Sequence, residues 1–127
     1  MLIKKSHLKN IDNKGIGLFA GENISKNDFI WIYNNIIDLI IEPNNIPVEL
    51  NDFVNTYATK IKNSEQHKGK WLLYCDNARF INHSNNPNTK SLGNFKGNIA
   101  IKDILENEEI TIDYTDIDSD EILFKIF

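Results

Sequence analysis

Short apolar runs alternate with turn-forming residues along most of the chain. The turn signals recur about every 8 to 12 residues, a spacing typical of small β domains. One segment differs, because the apolar residues within 47–57 follow a three-to-four spacing that predicts a short helix. The pattern therefore predicts a mostly β fold of small antiparallel sheets with one or two short helices.

The predicted strands are short, and each is bounded by Asn, Asp, Gly or Pro. The period-two alternation of Ile, Thr, Ile, Asp and Tyr is clearest at 110–114. We expect 36–41 to form a hairpin with 29–33, because the two runs are separated by only two asparagines. The strands are predicted at 2–11, 16–20, 29–33, 36–41, 71–75 and 110–114, and 92–101 is predicted to form either a strand pair or one bent strand with glycines at 93 and 97.

Composition places the chain among ordinary soluble proteins. It has 127 residues, of which 41% are hydrophobic and 25% charged, so we expect a single domain with one core. The net charge of −4 argues against direct nucleic-acid binding and suits a basic partner. The apolar run at 29–41 is broken by polar residues, and no signal-peptide pattern opens the chain, so no membrane association is expected.

The single cysteine, Cys75, excludes a disulfide within the chain and a cysteine-rich zinc site. A reducing compartment follows as the default. We expect the cytoplasm, or a host nucleus if the protein is a secreted or viral effector.

The most unusual stretch is 79–89, which reads R-F-I-N-H-S-N-N-P-N-T. Asn, Ser and Pro make a poor strand and favour a loop held by bonds from side chains to backbone. Ser84 beside His83 is a weak candidate for a nucleophile, because it lacks the Gly-x-Ser-x-Gly context. A zinc site formed by His7, His67, His83 and Cys75 has no recognised spacing.

Two further segments flank this loop at long range, Gly15-Ile16-Gly17 and 108–114. Glycines permit a close approach between backbone and ligand. The first segment is not a dinucleotide fingerprint, because Ala20 replaces the third glycine. Considered alone, the glycine segment favours a tight turn over a ligand site, and the segment at 108–114 favours Tyr114 as a core tyrosine.

Taken together, the three segments resemble the SET-domain lysine methyltransferase family. K-G-I-G-L-F-A at 14–20, R-F-I-N-H-S at 79–84 with Pro87-Asn88, and E-E-I-T-I-D-Y at 108–114 occur in the family order. The resemblance extends from about Lys14 to Tyr114. It implies the β-clip (SET) fold of small curved sheets, with the last motif threaded under an earlier loop in a C-terminal pseudoknot.

The resemblance also implies the cofactor, S-adenosyl-L-methionine, and the site residues. It implies a single SET domain over 1–127, with the tail at about 115–127 as a cofactor lid. By the same analogy the catalytic residues are Tyr114, His83 and Tyr57. The cofactor-binding residues are Lys14, Gly15, Ile16, Gly17, Arg79, Phe80, Asn82, His83, Tyr114 and Phe124.

Two departures from the family pattern limit what the resemblance implies. Asn85 stands where zinc-bound members carry Cys, and the tail has no Cys, so no metal is expected. Ile112 stands where many members have Phe or Tyr, so the number of methyl groups added stays open. The chain resembles the minimal viral and bacterial members, without zinc modules on either side.

The implied function is the transfer of a methyl group from the cofactor to a lysine of a basic protein, either a histone or a histone-like protein. Three alternatives stay open: an inactive SET-like module that binds a peptide or partner, a methyltransferase for a small amine, and a purely structural β domain. A homodimer is also compatible with the sequence.

Overall fold

The computed structural model describes residues 1–62, 64–92 and 96–116. These residues form strands β1 (Ser6–Ile11), β2 (Gly15–Ala20), β3 (Phe29–Trp31), β4 (Asp38–Ile41), β5 (Ala58–Lys60), β6 (Trp71–Tyr74), β7 (Asn82–His83), β8 (Thr89–Leu92), β9 (Gly97–Ala100) and β10 (Thr111–Ile112), and helix α1 (Asn51–Tyr57). Short 3-10 turns occupy Pro43–Asn45, Val48–Leu50, Asn77–Phe80 and Tyr114–Asp116. The mostly β prediction is confirmed.

The strands form three small sheets. β1 and β2 make an antiparallel hairpin, β4, β6 and β5 make a three-stranded sheet, and the third sheet has the order β3-β9-β8-β10-β7. The hairpin predicted between 29–33 and 36–41 is wrong, because β3 pairs with β9 and β4 pairs with β6. Asn34 explains the separation: its side chain accepts from the backbone N–H of Ile36 and closes a turn there.

The predicted helix forms at the end of its segment. α1 begins at Asn51 after the turn at Val48–Leu50, and the chain enters β5 at Ala58. β5 pairs antiparallel with β6, so a strand directly follows the helix. The sequence analysis missed β5 because three residues are too few to show an alternating pattern.

The final strand is threaded between two earlier ones. β10 runs parallel to both β7 and β8, with Thr111 opposite Asn82 and Ile112 opposite Thr89. Because β7 and β8 are consecutive in sequence, the loop that joins them must cross β10. This is the pseudoknot that the resemblance implies, and it makes β7 a two-residue strand where the sequence predicted a loop.

The core lies where the sheets meet. Leu18 and Ala20 of β2 are completely buried, as is Ile110, which precedes β10. The edge of β2 that does not pair with β1 bonds to the segment before β10: Ile110 N–H donates to Leu18 O at 2.8 Å. The glycine segment, the polar loop and the terminal motif are thereby packed as one unit. No helix among the described residues is long and apolar enough to cross a membrane.

Candidate active site

A cavity of about 190 Å³ lies between α1 and the polar loop. Each of the three sheets contributes to its wall, so it forms only when they are assembled. The lining combines aromatic, aliphatic and amide side chains, and consists of Ile16, Thr56, Tyr57, Thr59, Tyr74, Ala78, Arg79, Phe80, Ile81, Asn82, Asn98, Ile112 and Tyr114.

Asn82 joins the three motifs at one point. Its side-chain nitrogen donates to the Ile16 carbonyl at 3.2 Å and to Glu109 Oε2 at 2.9 Å. A Cβ atom on Gly17 would lie 3.1 Å from the Asn82 nitrogen and 2.8 Å from Glu109 Oε2. The absence of a side chain at Gly17 therefore allows the backbone of β2 to approach the other two motifs closely.

Tyr114 is anchored at both ends by the polar loop. Its hydroxyl donates to the Ile81 carbonyl at 2.8 Å, and its backbone N–H donates to His83 Nδ1 at 3.1 Å. The centroids of the His83 and Tyr114 rings lie 5.3 Å apart. The Ile81 carbonyl and the His83 side chain, two residues apart in the polar loop, thus hold both ends of Tyr114.

These bonds also assign the tautomer of the His83 ring. A backbone N–H can only donate, so Nδ1 must hold a lone pair and the neutral ring carries its proton on Nε2. Nε2 lies 2.9 Å from Asn85 Oδ1, which can accept that proton. Both contacts are consistent with a single tautomer of His83. In this tautomer Nδ1 accepts from the Tyr114 backbone N–H and Nε2 donates to Asn85.

Asp113 lies behind this pair. The hydroxyl and the backbone N–H of Thr115 donate to Asp113 Oδ1, at 2.7 and 2.9 Å, and hold the pKa of Asp113 below its ordinary value. The distance from Asp113 Oδ1 to His83 Nδ1 is 3.7 Å, too long for a hydrogen bond. Asp113 therefore favours its ionised form and does not hydrogen-bond to His83 Nδ1, which accepts from the Tyr114 backbone N–H.

The opposite side of the cavity is aromatic and more exposed. The Arg79 guanidinium lies 5.5 Å from the centroid of the Tyr57 ring and 5.6 Å from that of Phe80. Tyr57 also contacts Phe53 one helical turn earlier, with ring centroids 5.0 Å apart. Arg79 therefore connects the end of α1 to the polar loop across the cavity mouth.

The structure brings most of the predicted site residues together. Ile16, Arg79, Phe80, Asn82, Tyr57 and Tyr114 line the cavity, and His83 contacts Tyr114. Lys14, Gly15 and Gly17 lie on the β1–β2 hairpin outside the cavity lining, with Lys14 exposed in its turn. Phe124 and most of the predicted lid fall outside the described residues. The roles assigned to all of these residues stay predictions.

The sequence analysis assigned no role to two residues that hold the site together. Glu109 accepts from Asn82, and Asn88 bonds to the backbone on both sides of Ile110. The period-two alternation of 110–114, extended back by one residue, could have indicated the position of Glu109. It places this residue on the face of the strand opposite the buried Ile110. Within the described ranges no three His, Cys, Asp or Glu side chains converge in a way that could hold a metal ion.

Many solved structures share this fold, among them the following three. A candidate histone methyltransferase from Plasmodium falciparum superposes with a TM-score of 0.57 at 26% identity, over 87% of this chain and 93% of its own. The Neurospora SET domain protein DIM-5, a histone lysine methyltransferase, gives 0.60 at 22% identity, over 89% of this chain and 53% of its own. ctPRC2, in an autoinhibited conformation bound to S-adenosylmethionine, gives 0.68 at 22% identity, over 94% of this chain and 16% of its own.

Comparison with curated protein sequences gives no significant match. Comparison with protein families matches residues 15–115 to the SET domain. The match begins at the glycine segment and ends just after Tyr114, so it covers all three motifs and most of the chain. The chain belongs to the SET domain family.

Proposed function

We propose that the protein is an S-adenosylmethionine-dependent protein-lysine N-methyltransferase. The observation that carries the proposal is that Tyr57 and Tyr114 line one cavity beside the threaded motif. The methyltransferase assignments of the Plasmodium and Neurospora proteins support it, as does the cofactor bound to ctPRC2.

The donor set at the junction of the motifs suits this cofactor. Both hydrogens of the Asn82 side-chain nitrogen are donated within the protein, so Asn82 can offer a ligand only its Oδ1 acceptor. An acceptor next to a carboxylate, Glu109, favours a ligand that carries hydrogen-bond donors and positive charge. S-adenosylmethionine has both, in its ammonium and sulfonium groups.

The residues that would hold the cofactor are those of the glycine segment and the polar loop. Ile16 of the glycine segment lines the cavity, while Asn82 and Phe80 of the polar loop supply an acceptor and an aromatic face. When bound, S-adenosylmethionine supplies an activated methyl group that an amine nitrogen can take up by displacement at carbon.

The task of the remaining residues is to present a neutral amine. A free lysine has a pKa of about 10.4, so its ammonium form dominates in neutral water. The aromatic and aliphatic lining formed by Tyr57, Phe80 and Ile112 disfavours the charged form by removing water. The Tyr114 hydroxyl donates a hydrogen bond to Ile81 O, so its oxygen can accept a hydrogen bond from an N–H of the amine and orient the nitrogen lone pair.

The proposed substrate is a lysine in a basic segment of a protein, of the histone or histone-like class. The chain has 18 acidic and 14 basic residues, and this balance favours a positively charged partner. A small amine would not need the exposed apolar surface of α1 beside the cavity, where Phe53 and Tyr57 are both exposed.

The first test is thermal unfolding with and without S-adenosylmethionine, because it needs no knowledge of the substrate. Cofactor at about 100 times its dissociation constant should add roughly 2.7 kcal/mol to the folded state, which corresponds to about 10 °C for a chain of this size. ATP at the same concentration serves as a control for nonspecific nucleotide binding. No shift at millimolar cofactor would contradict the proposal.

The second test is transfer of labelled methyl from the cofactor to histones and to lysine-rich peptides. The same peptides with Lys replaced by Arg are the matched controls. Label in the lysine peptides alone supports the enzyme. Cofactor binding without transfer to any of them would favour the inactive peptide-binding module.

A further inference from the structure

Glu109 occupies the point where the three motifs meet. Its Oε2 accepts from the Asn82 side-chain nitrogen at 2.9 Å, and that nitrogen also donates to the Ile16 carbonyl at 3.2 Å. Glu109 is half-buried, whereas the adjacent Glu108 is exposed. The two glutamates thus have the same chemistry and neighbouring positions, but only Glu109 has its carboxylate in this junction.

The contacts decide which way the Asn82 amide faces. A carboxylate and a backbone carbonyl are both pure acceptors, so each must meet the nitrogen side of the amide. The reversed amide would place Oδ1 against two oxygen atoms. Of these two acceptors, the carboxylate forms the shorter, charge-assisted bond, a class about twice as strong as the neutral one.

The tight geometry around Gly17 restricts Glu109 as well. A Cβ atom at Gly17 would come within 2.8 Å of Glu109 Oε2, so the carboxylate lies directly against the β2 backbone. The backbone N–H of Thr111 donates to Asn88 Oδ1, and the Glu109 carbonyl accepts from Asn88 Nδ2. Glu109 is therefore held by its backbone on one side of the pseudoknot while its side chain reaches the other motifs.

We propose that Glu109 is a positioning residue for cofactor binding: it fixes the orientation of the Asn82 amide so that Oδ1 is presented to the ligand. The proposal deepens the function proposed above and rests on it. The ligand group that Oδ1 would meet is a hydrogen-bond donor of the cofactor. Glu109 acts through Asn82, so its loss should weaken cofactor binding more than it slows methyl transfer at saturating cofactor.

The test compares three variants of the full chain by calorimetric titration with S-adenosylmethionine. Glu109→Ala should raise the dissociation constant about tenfold, because the amide loses its stronger acceptor. Glu109→Gln should recover to within about threefold of the wild type, because the Gln oxygen can still accept from Asn82. Glu108→Ala removes the same charge one residue away and should stay within about twofold of the wild type.

Two further readouts separate positioning from general damage. At saturating cofactor, kcat for methyl transfer should change by less than about threefold in all three variants, so the effect falls on KM for the cofactor. In nuclear magnetic resonance spectra of the free protein, an Asn82 side-chain amide proton should shift upfield in Glu109→Ala and not in Glu108→Ala. Asn82→Ala identifies that signal by its loss.

The outcomes distinguish this proposal from the proposed function. If the wild type does not bind S-adenosylmethionine, both fail. If the wild type binds and Glu109→Ala binds equally well, only the role of Glu109 is overturned. If Glu109→Gln is as impaired as Glu109→Ala, charge rather than amide orientation is responsible, and the positioning role is also overturned.

Discussion

The two sides of the cavity are built in different ways. The knotted wall, residues 79–89 and 108–114, is held by side chains that bond to backbone across long sequence separations. The helical wall, residues 48–57, has one buried side chain, Val54, and no side-chain bond caps α1 in the described structure. Val48 at its start is 78% exposed.

This difference suits the two walls to different tasks: the knotted wall to orienting reacting groups, and the helical wall to contacting the substrate. Groups that orient a reacting amine must be held within a fraction of an ångström, which dense hydrogen bonding achieves. An exposed, weakly anchored helix opens at a lower free energy than a packed core element. We therefore expect changes in the knotted wall to alter stability and catalytic rate, and changes in the helical wall to alter substrate affinity.

Removing the amide clamp of the knotted wall should have the largest effect on stability. Asn88 is buried and its side chain bonds to Glu109 O at 2.7 Å and to Thr111 N at 2.8 Å. Asn88→Ala should destabilise the fold by about 2 kcal/mol, because it leaves two partly buried backbone groups, Glu109 O and Thr111 N–H, without this partner. Urea unfolding measures this, with Asn86→Ala as an exposed control that should cost less than about 0.5 kcal/mol. Equal losses in the two variants would contradict the clamp.

Removing one oxygen atom should have the largest effect on turnover. Tyr114→Phe deletes the hydroxyl that donates to Ile81 O. We expect methyl transfer to fall about 100-fold, equivalent to about 2.7 kcal/mol of transition-state stabilisation, while stability falls by only about 1 kcal/mol. Single-turnover transfer of labelled methyl measures the rate. Full activity in this variant would remove Tyr114 from the catalytic role.

On the helical wall, Tyr57→Ala should have a smaller effect, and one of a different kind. Tyr57 is 40% exposed, and its ring contacts Phe53 and Arg79. Its loss should raise KM for a lysine peptide about tenfold and change the free energy of unfolding by less than about 1 kcal/mol. Tyr57→Phe keeps the ring and is the matched control. A stability loss as large as that of Asn88→Ala would mean that the two walls are not different in kind.

The smallest effect should come from the carboxylate behind Tyr114. Thr115→Val removes the hydroxyl that is the main cause of the lowered pKa of Asp113. A lowered pKa in the folded state stabilises the fold above the ordinary pKa of 3.8, and that contribution is lost as the pH falls through the folded-state value. The variant should therefore be less stable than the wild type at neutral pH, by under about 0.5 kcal/mol, and equal to it in strong acid. Unfolding at a series of pH values checks this, and a difference that grows in acid would contradict it.

The fold shows where sequence patterns were sufficient. The three-to-four spacing located α1, and turn residues located the boundaries of most strands, because these signals are local. Pairing was less predictable: β4 follows β3 closely in sequence yet pairs with β6, and the two-residue strand β7 exists only because β10 lies beside it. A strand that short has no alternation to detect, and its partner is 29 residues away.

Within the site, the sequence determined the chemistry of the residues and the tertiary structure decided their partners. Asn82, His83 and Tyr114 were predicted as site residues from three motifs in a fixed order, because side-chain types and spacing are properties of the chain itself. No local pattern could reveal that Glu109 accepts from Asn82, that Asn88 clamps the backbone beside Ile110, or that Arg79 lies over Tyr57. Those contacts form only after β10 is threaded between β7 and β8, since threading brings residues distant in sequence within hydrogen-bond distance.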